Sequence, residues 1–293
     1  MDTDIAFPNL GIYLSNVPQS FTIFGFTIYM YGMIIGVGAV LGILLVAKQA
    51  KKQGIDPDMI YELALWLLVF GIIGARLYYV IFRWQDYKYD IFSVFNIRNG
   101  GLAIYGGVIA GTITLCIYCK LKKLDLKKVG DIAFQGVLVG QIIGRWGNFT
   151  NREVFGDYTN NLFAMRLPVN AVRQSDISDN IRAHMSSDMR YIQVHPTFLY
   201  ESFANLVLLT LIYFFQKKKA FDGECILWYA GGYGIIRFVI EGIRTDRLTI
   251  GNSGIAVSQM LGIFLFVMSI IVDVVIRVKM NNKKLDESKK AAK

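Results

Sequence analysis

Apolar residues along this chain gather in long runs separated by polar, charged connections. Seven runs cover roughly 24–47, 59–82, 100–119, 131–150, 197–215, 223–243 and 255–276, each near the ~20 residues that a helix needs to cross a bilayer. The pattern predicts an all-α integral membrane protein of about seven transmembrane helices, with the membrane domain at 24–276. A segment at 1–23 precedes it and a basic tail at 277–293 follows. The connection at 151–195 between the fourth and fifth runs is long and polar. Loops beyond ~12–15 residues are usually functional or disordered, and this one reads as a small head or lid.

Composition agrees with a membrane setting. Hydrophobic residues make up 54% of the 293 and mean hydropathy is +0.42, too apolar for an ordinary soluble domain. The first residues, Met1-Asp2-Thr3-Asp4, lack the positive n-region of a signal peptide. Cys116 and Cys119 have a C-x-x-C spacing but no second pair, so with Cys225 they read as small core residues.

The net charge of +9 would suit nucleic acid if it were evenly spread, but it is not. Seventeen of the eighteen lysines fall on one set of connections, at Lys48–Lys52, Lys120–Lys128, Lys217–Lys219 and the tail; only Lys88 lies on the other. The positive-inside rule then puts the N-terminus outside, the C-terminus in the cytoplasm and the 151–195 head outside. A solvated topology signal explains these charges without any nucleic-acid partner.

That orientation collects the polar residues of the spans. Arg145 and Asn148 lie at the outer end of the fourth span, in Gly144-Arg145-Trp146-Gly147-Asn148-Phe149-Thr150-Asn151-Arg152-Glu153. Tyr105 lies at the outer start of the third span, between Gly100-Gly101 and Gly106-Gly107. Tyr233, Arg237, Glu241 and Arg244 share one face of the sixth. Tyr29 and Tyr31 fall in the outer half of the first, Arg76 at the exit of the second, and His195 and Glu201 at the outer start of the fifth. Nearly every ionisable group in a span is thus expected in the outer half of the bilayer.

Each residue also has a plainer explanation. Arg237 and Glu241 make a self-neutralising pair, Arg76 a snorkelling cation, and Tyr29, Tyr31 and Tyr79 part of an interfacial aromatic belt. Arg145 has no acid four residues away, so it calls for an anion or a partner on another helix. A cation in an apolar run is costly and functional by default, and its planar fork of donors suits a phosphate. The flanking Gly144 and Gly147 allow a ligand or another helix to approach the backbone closely.

At these residues the chain resembles bacterial prolipoprotein diacylglyceryl transferases. The signature is similar to Gly144–Gly156, and further matches are Tyr31-Gly32, Gly74-Ala75-Arg76, Gly100–Gly111, His195-Pro196-Thr197, Leu199-Tyr200-Glu201, and Tyr233-Gly234 with Arg237, Glu241 and Arg244. The resemblance covers almost the whole chain. One departure is Tyr105, where many members carry histidine.

The resemblance implies a multi-pass enzyme of the bacterial cytoplasmic (inner) membrane, its active site toward the extracytoplasmic leaflet. Its substrates would be phosphatidylglycerol and the signal peptide of a preprolipoprotein carrying a lipobox cysteine. The diacylglyceryl group moves to the cysteine thiol as a thioether and glycerol phosphate leaves. On this basis Arg145, Arg237 and Tyr105 are the catalytic candidates, with the two arginines clamping the phosphate. Asn148, Glu153, Gly156, Tyr31, Tyr233, Glu241, Arg244, Arg76 and His195 are the further substrate-binding candidates.

The acceptor thiol has an ordinary pKa of ~8.5, and nearby cations favour the thiolate. Tyr105, His195 and Glu153 are all candidate bases, and the sequence leaves the choice open. No metal site is expected, since the two histidines, His184 and His195, lie eleven residues apart in a loop without an acid cluster. No Gly-rich nucleotide loop occurs and the bilayer supplies the lipid substrate, so no cofactor is expected. An anionic-lipid transporter or a lipid-binding scaffold would use some of the same arginines. A transporter commonly shows internal repeats and a midplane site, and neither is visible.

Overall fold

The computed structural model describes residues 4–97, 100–185, 190–249 and 254–291. The first three residues, part of the signal-peptide reading, and the end of the basic tail lie outside them. The protein is mostly helical and divides into two compact units, 1–42 with 134–293 and 43–133. Two helices, α1 (Met30–Lys52) and α5 (Leu126–Asn151), pass from one unit to the other.

In the 43–133 unit, α2 (Pro57–Phe82) begins with Asp56 as N-cap, its side chain accepting from the Asp58 N–H, and Pro57 in the first turn. A short turn α3 (Trp84–Tyr87) follows. Next comes α4 (Ile104–Leu121), which packs on α2 where Gly106 and Gly74 meet so closely that a Cβ on either would strike the other's carbonyl. Cys119 is buried there with Leu63, Tyr118 and Val129, and Cys116 is exposed, so the C-x-x-C pair splits between core and surface.

The other unit holds α7 (Thr197–Phe215), α8 (Glu224–Ile243) and α9 (Val257–Ala291). α8 and α9 cross at Gly234 and Gly262, where a Cβ on Gly262 would fall 2.5 Å from the Gly234 carbonyl oxygen. α9 continues 15 residues past the expected end of the last span, carrying the basic tail as helix. Six helices among the described residues, α1, α2, α4, α7, α8 and α9, are long and apolar enough to cross a membrane. α5 fills the fourth expected span as a helix but is less apolar, because Lys127, Lys128, Asp131, Gln135, Gln141 and Arg145 interrupt it. Large apolar side chains of the helices face outward while Glu201, Asn205, Gln135 and Glu224 are buried, the inverse of a water-soluble bundle and the arrangement expected in lipid.

The strands were not foreseen. β3 (Ser20–Ile23) and β4 (Phe26–Tyr29) form a hairpin, so the first span starts later than expected, at Met30. Its two-residue loop, Phe24-Gly25, has positive φ at both positions, as a type I′ turn requires. A second antiparallel sheet has the order β2-β1-β5-β6, from β1 (Ile5–Phe7), β2 (Ile12–Leu14), β5 (Met165–Pro168) and β6 (Tyr191–Val194). It pairs the N-terminal segment with the long connection, which also holds the one-turn helix α6 (Asp179–Ala183). Ile5, Phe7, Phe155, Met165, Leu167, Ile177, Ile181, Ile192, Val194 and Phe198 make its core. The 151–195 connection is thus folded into a sheet whose hydrophobic core also takes in Phe198 of α7.

Candidate functional site

The site begins at the end of α5. α1 and α5 pack antiparallel through small residues. A Cβ at Gly42 would fall 2.6 Å from the Gly136 carbonyl oxygen, and one at Gly38 3.5 Å from Gly140 Cα. The same register brings the Tyr31 ring onto Gly147, where a Cβ would come within 2.7 Å of it. The close approach that Gly147 permits is therefore taken by an aromatic ring of a neighbouring helix.

Beyond Asn151 the chain reverses through Arg152 and Val154, both at positive φ (55° and 60°). For a β-branched valine this is a strained conformation. It is held by Arg152, buried and donating to the Thr150 and Val17 carbonyls at 2.8 and 2.6 Å, and by Thr197 Oγ1, which donates to the Val154 carbonyl. The reversal turns Glu153 back, so that Asn148 Nδ2 and Asn151 Nδ2 donate to its Oε1 at 3.0 and 3.3 Å. Arg173, from the head, reaches Glu153 Oε2 at 3.7 Å.

From there the charges form one ladder across α5, α7 and α8. Arg145 Nη1 donates to Asn148 Oδ1 at 3.3 Å and Nη2 to Glu201 Oε1 at 2.6 Å. The other oxygen of Glu201 lies 3.5 Å from Arg237 Nη1. Arg237 Nη2 bonds Glu241 Oε2 at 2.5 Å, which Arg244 Nη1 also approaches at 3.4 Å, and Arg244 closes on Asp246 at 2.8 and 2.9 Å. Glu201 is therefore the bridge that fixes the two guanidiniums side by side. Its side chain is 1% exposed, whereas those of Arg145 and Arg237 are 19% and 17% exposed. The three arginines are matched by Glu201, Glu241 and Asp246, so the partly exposed edges of Arg145 and Arg237 offer a ligand fixed guanidinium donors rather than an excess of charge. Tyr233 interacts with Arg145, Arg237 and Glu201 and stacks on Tyr229 (centroids 5.6 Å apart). Tyr31 is coupled electrostatically to Glu153 and Arg145.

Glu201 is the functional candidate that sequence reasoning passed over. It stood in the Leu199-Tyr200-Glu201 match without a role, although a carboxylate in an apolar run was a signal as strong as the unpaired Arg145. Arg173 and Asp246 carried no such signal, since both sit in polar connections.

Gly156 is where three segments meet. Its N–H donates to the His195 carbonyl at 3.0 Å, Asp157 N–H donates to the Ile243 carbonyl at 2.8 Å, and a Cβ would fall 2.8 Å from His195 Cβ. It bridges to Arg244 and so seats the end of α8 on the head. His195 Nδ1 lies 3.3 Å from the Tyr200 hydroxyl. Burial lowers the His195 pKa below its ordinary value, and the nearby Asp157 offsets this in part. Burial alone would raise the Asp157 carboxyl, but hydrogen bonds from Ser178, Tyr158 and Asn180, with His195 beside it, hold it below its usual range.

Two candidates lie in the 43–133 unit. Arg76 spends all five donors on backbone carbonyls, of Val94, Gly100, Gly101, Ser93 and Asn96 at 2.7–3.1 Å, and its guanidinium lies over the Tyr87 ring. It is buried and organises the loop before α4, which is not the geometry of a snorkelling cation. Tyr105 stands half-exposed on the first turn of α4. Among the described residues no three His, Cys, Asp or Glu side chains gather as metal ligands would.

Comparison with known proteins identifies the family. The family model for prolipoprotein diacylglyceryl transferase matches residues 18–275. A phosphatidylglycerol–prolipoprotein diacylglyceryl transferase of Finegoldia magna is 40% identical over 256 residues, 87% of this chain and 94% of the relative. Those of Clostridioides difficile (38%, covering 79% and 85%) and Bacillus cereus (38%, covering 91% and 96%) are similar in extent. The chain belongs to the prolipoprotein diacylglyceryl transferase family.

Proposed function

We propose that the chain transfers the diacylglyceryl group of phosphatidylglycerol to the lipobox cysteine of preprolipoproteins, and that the Glu201-bridged pair Arg145 and Arg237 binds the phosphate that leaves. The pairing of two arginines from different helices on one buried carboxylate carries this reading. Sulfur attacks the glycerol carbon attached to the phosphate ester, an S–C bond forms, the C–O bond breaks, and glycerol phosphate departs with the bonding electrons. Charge grows on the leaving phosphate as that bond breaks. Guanidiniums already fixed by Glu201 and Glu241 stabilise the transition state more than the ground state.

Asn148 and Tyr233 supply further hydrogen bonds, while Glu153, Glu241 and Arg244 hold the arginines in place. Gly156 and His195 shape the seat of α8 and α7 beside them. Tyr31 and Tyr105 line the approach of lipid and peptide, and Arg76 sets the loop that leads into Tyr105. His195, kept neutral by burial, is able to accept a proton, with Glu153 and Tyr105 the other candidate bases.

The site belongs, on this proposal, to the extracytoplasmic leaflet of the bacterial cytoplasmic membrane. Seven helices cross it, α5 among them, with the N-terminus and head outside. The lysine asymmetry supports this orientation. The test mixes purified protein, phosphatidylglycerol and a lipobox peptide. Thioether product is expected, and Arg145→Lys should lower kcat by about 10²-fold, the cost of removing one fixed donor from a developing oxyanion. Full activity of Arg145→Lys, or modification of a Cys→Ser peptide, would overturn the mechanism.

A further inference from the structure

One helical turn inward from each ladder residue lies a second polar layer that the chemistry above does not use. Below Arg145 on α5 is Gln141, below Glu201 on α7 is Asn205, and below Tyr233 on α8 is Tyr229. The same neighbours meet in this layer, since Gln141 Nε2 donates to the Tyr229 hydroxyl at 3.1 Å and Ser202 Oγ donates to the Ile142 carbonyl at 2.9 Å. Asn205 is 0% exposed, and neither its Nδ2 nor its Oδ1 has a protein partner; the buried Oε1 of Gln141 has none either. Three amide atoms therefore remain unsatisfied in one buried layer. Burying such groups unpaired is unfavourable, and buried polar groups without a protein partner are commonly satisfied by ordered water. Beneath the layer, Leu138, Ile212 and Cys225 form an apolar cluster with Leu208, Leu209, Trp228 and Tyr229 itself. On its other side the layer meets the arginine ladder, one helical turn away.

We infer that Asn205, Gln141 and Tyr229 hold a small internal water cluster beneath the arginine pair, through which Asn205 acts as a positioning residue for Glu201. Water bonded to Asn205 supports the carboxylate from its inner side, while Arg145 and Arg237 take its two oxygens. The carboxylate then keeps its orientation when the arginines shift toward a phosphate. The positioning role rests on the phosphate-site reading; the water cluster does not.

The test uses the full chain in nanodiscs containing phosphatidylglycerol. X-ray radiolytic labelling in ¹⁸O water reports ordered water beside Tyr229, and kinetics are followed with the lipobox peptide. Wild type should take up label at Tyr229. Asn205→Leu should lose the label and about ten- to a hundredfold in kcat, the range for a hydrogen bond to a charged group, with KM for phosphatidylglycerol unchanged. Its Tm should hold, because the leucine replaces the amide together with the water that satisfied it, and removing both partners of a hydrogen bond at once is nearly neutral. Asn205→Ser, which leaves room and a hydroxyl for water, should keep both label and kcat near wild type. An unlabelled Tyr229 in wild type, a Tm that falls in step with kcat in Asn205→Leu, or an unchanged kcat would overturn the inference. A labelled wild type that forms no thioether would instead defeat the transferase reading and leave the water cluster standing.

Discussion

Glu201 decides the behaviour of the site at the scale of single residues. Arg145 alone reads as an expensive cation awaiting an anion, and the structure supplies one from α7. That anion also holds Arg237, whose other partner is Glu241, so one carboxylate serves two guanidiniums. Removing one partner of a buried ion pair commonly costs about 3–5 kcal/mol, because the remaining charges lose their compensation. Glu201→Gln should therefore lower stability by about that amount and abolish thioether formation, checked by thermal unfolding and product assay. His195 makes a separate prediction. Its folded pKa lies below the ordinary value of 6.5, so between those two values the unfolded chain holds a proton that the folded chain does not. Stability from this group is complete above pH 6.5 and declines as the pH falls through that window. His195→Gln should flatten the pH dependence of Tm there.

Elements place these residues through close packing of small side chains. The α1–α5 crossing aligns Gly42 with Gly136, Gly38 with Gly140, and Tyr31 with Gly147. Gly42→Val should push α1 off α5, move Tyr31 from Gly147, and cost about 1–3 kcal/mol as overpacking does. Activity should fall more than it does for Gly36→Val, where a Cβ meets nothing within 4 Å. Long apolar runs made six of these helices legible from sequence, and α5 as well, despite its charges. The hairpin at Ser20–Tyr29 was hidden because its Phe and Ile residues extend the apolar run of α1. Phe24 and Gly25, both at positive φ, turn the chain between its two strands, and α1 follows directly at Met30. The sheet of the head was hidden for another reason. Its strands are three or four residues long and come from opposite sides of a 150-residue gap, so no local window shows their pairing.

The whole molecule keeps polar groups inside and apolar groups outside, and distributes its lysines unevenly. A membrane-impermeant amine reagent applied to intact cells should spare Lys120–Lys128 and Lys217–Lys219 and reach Lys88. Labelling of the Lys120–Lys128 loop would reverse the orientation and place the site at the inner leaflet. The sequence by itself determined the class of protein, the location of its long helices, the family and the arginines at issue. Those follow from properties local in the chain: run length, charge type, and contiguous motifs such as Gly144–Gly156. Tertiary structure alone decided that Glu201 bridges Arg145 and Arg237, that Tyr31 occupies the space over Gly147, and that Arg76 is consumed by its own loop. It also joined the N-terminal strands to the head. Each is a contact between segments distant in the chain, set by how helices cross and where a strained turn at Arg152–Val154 sends the backbone, and no local pattern of residues encodes it.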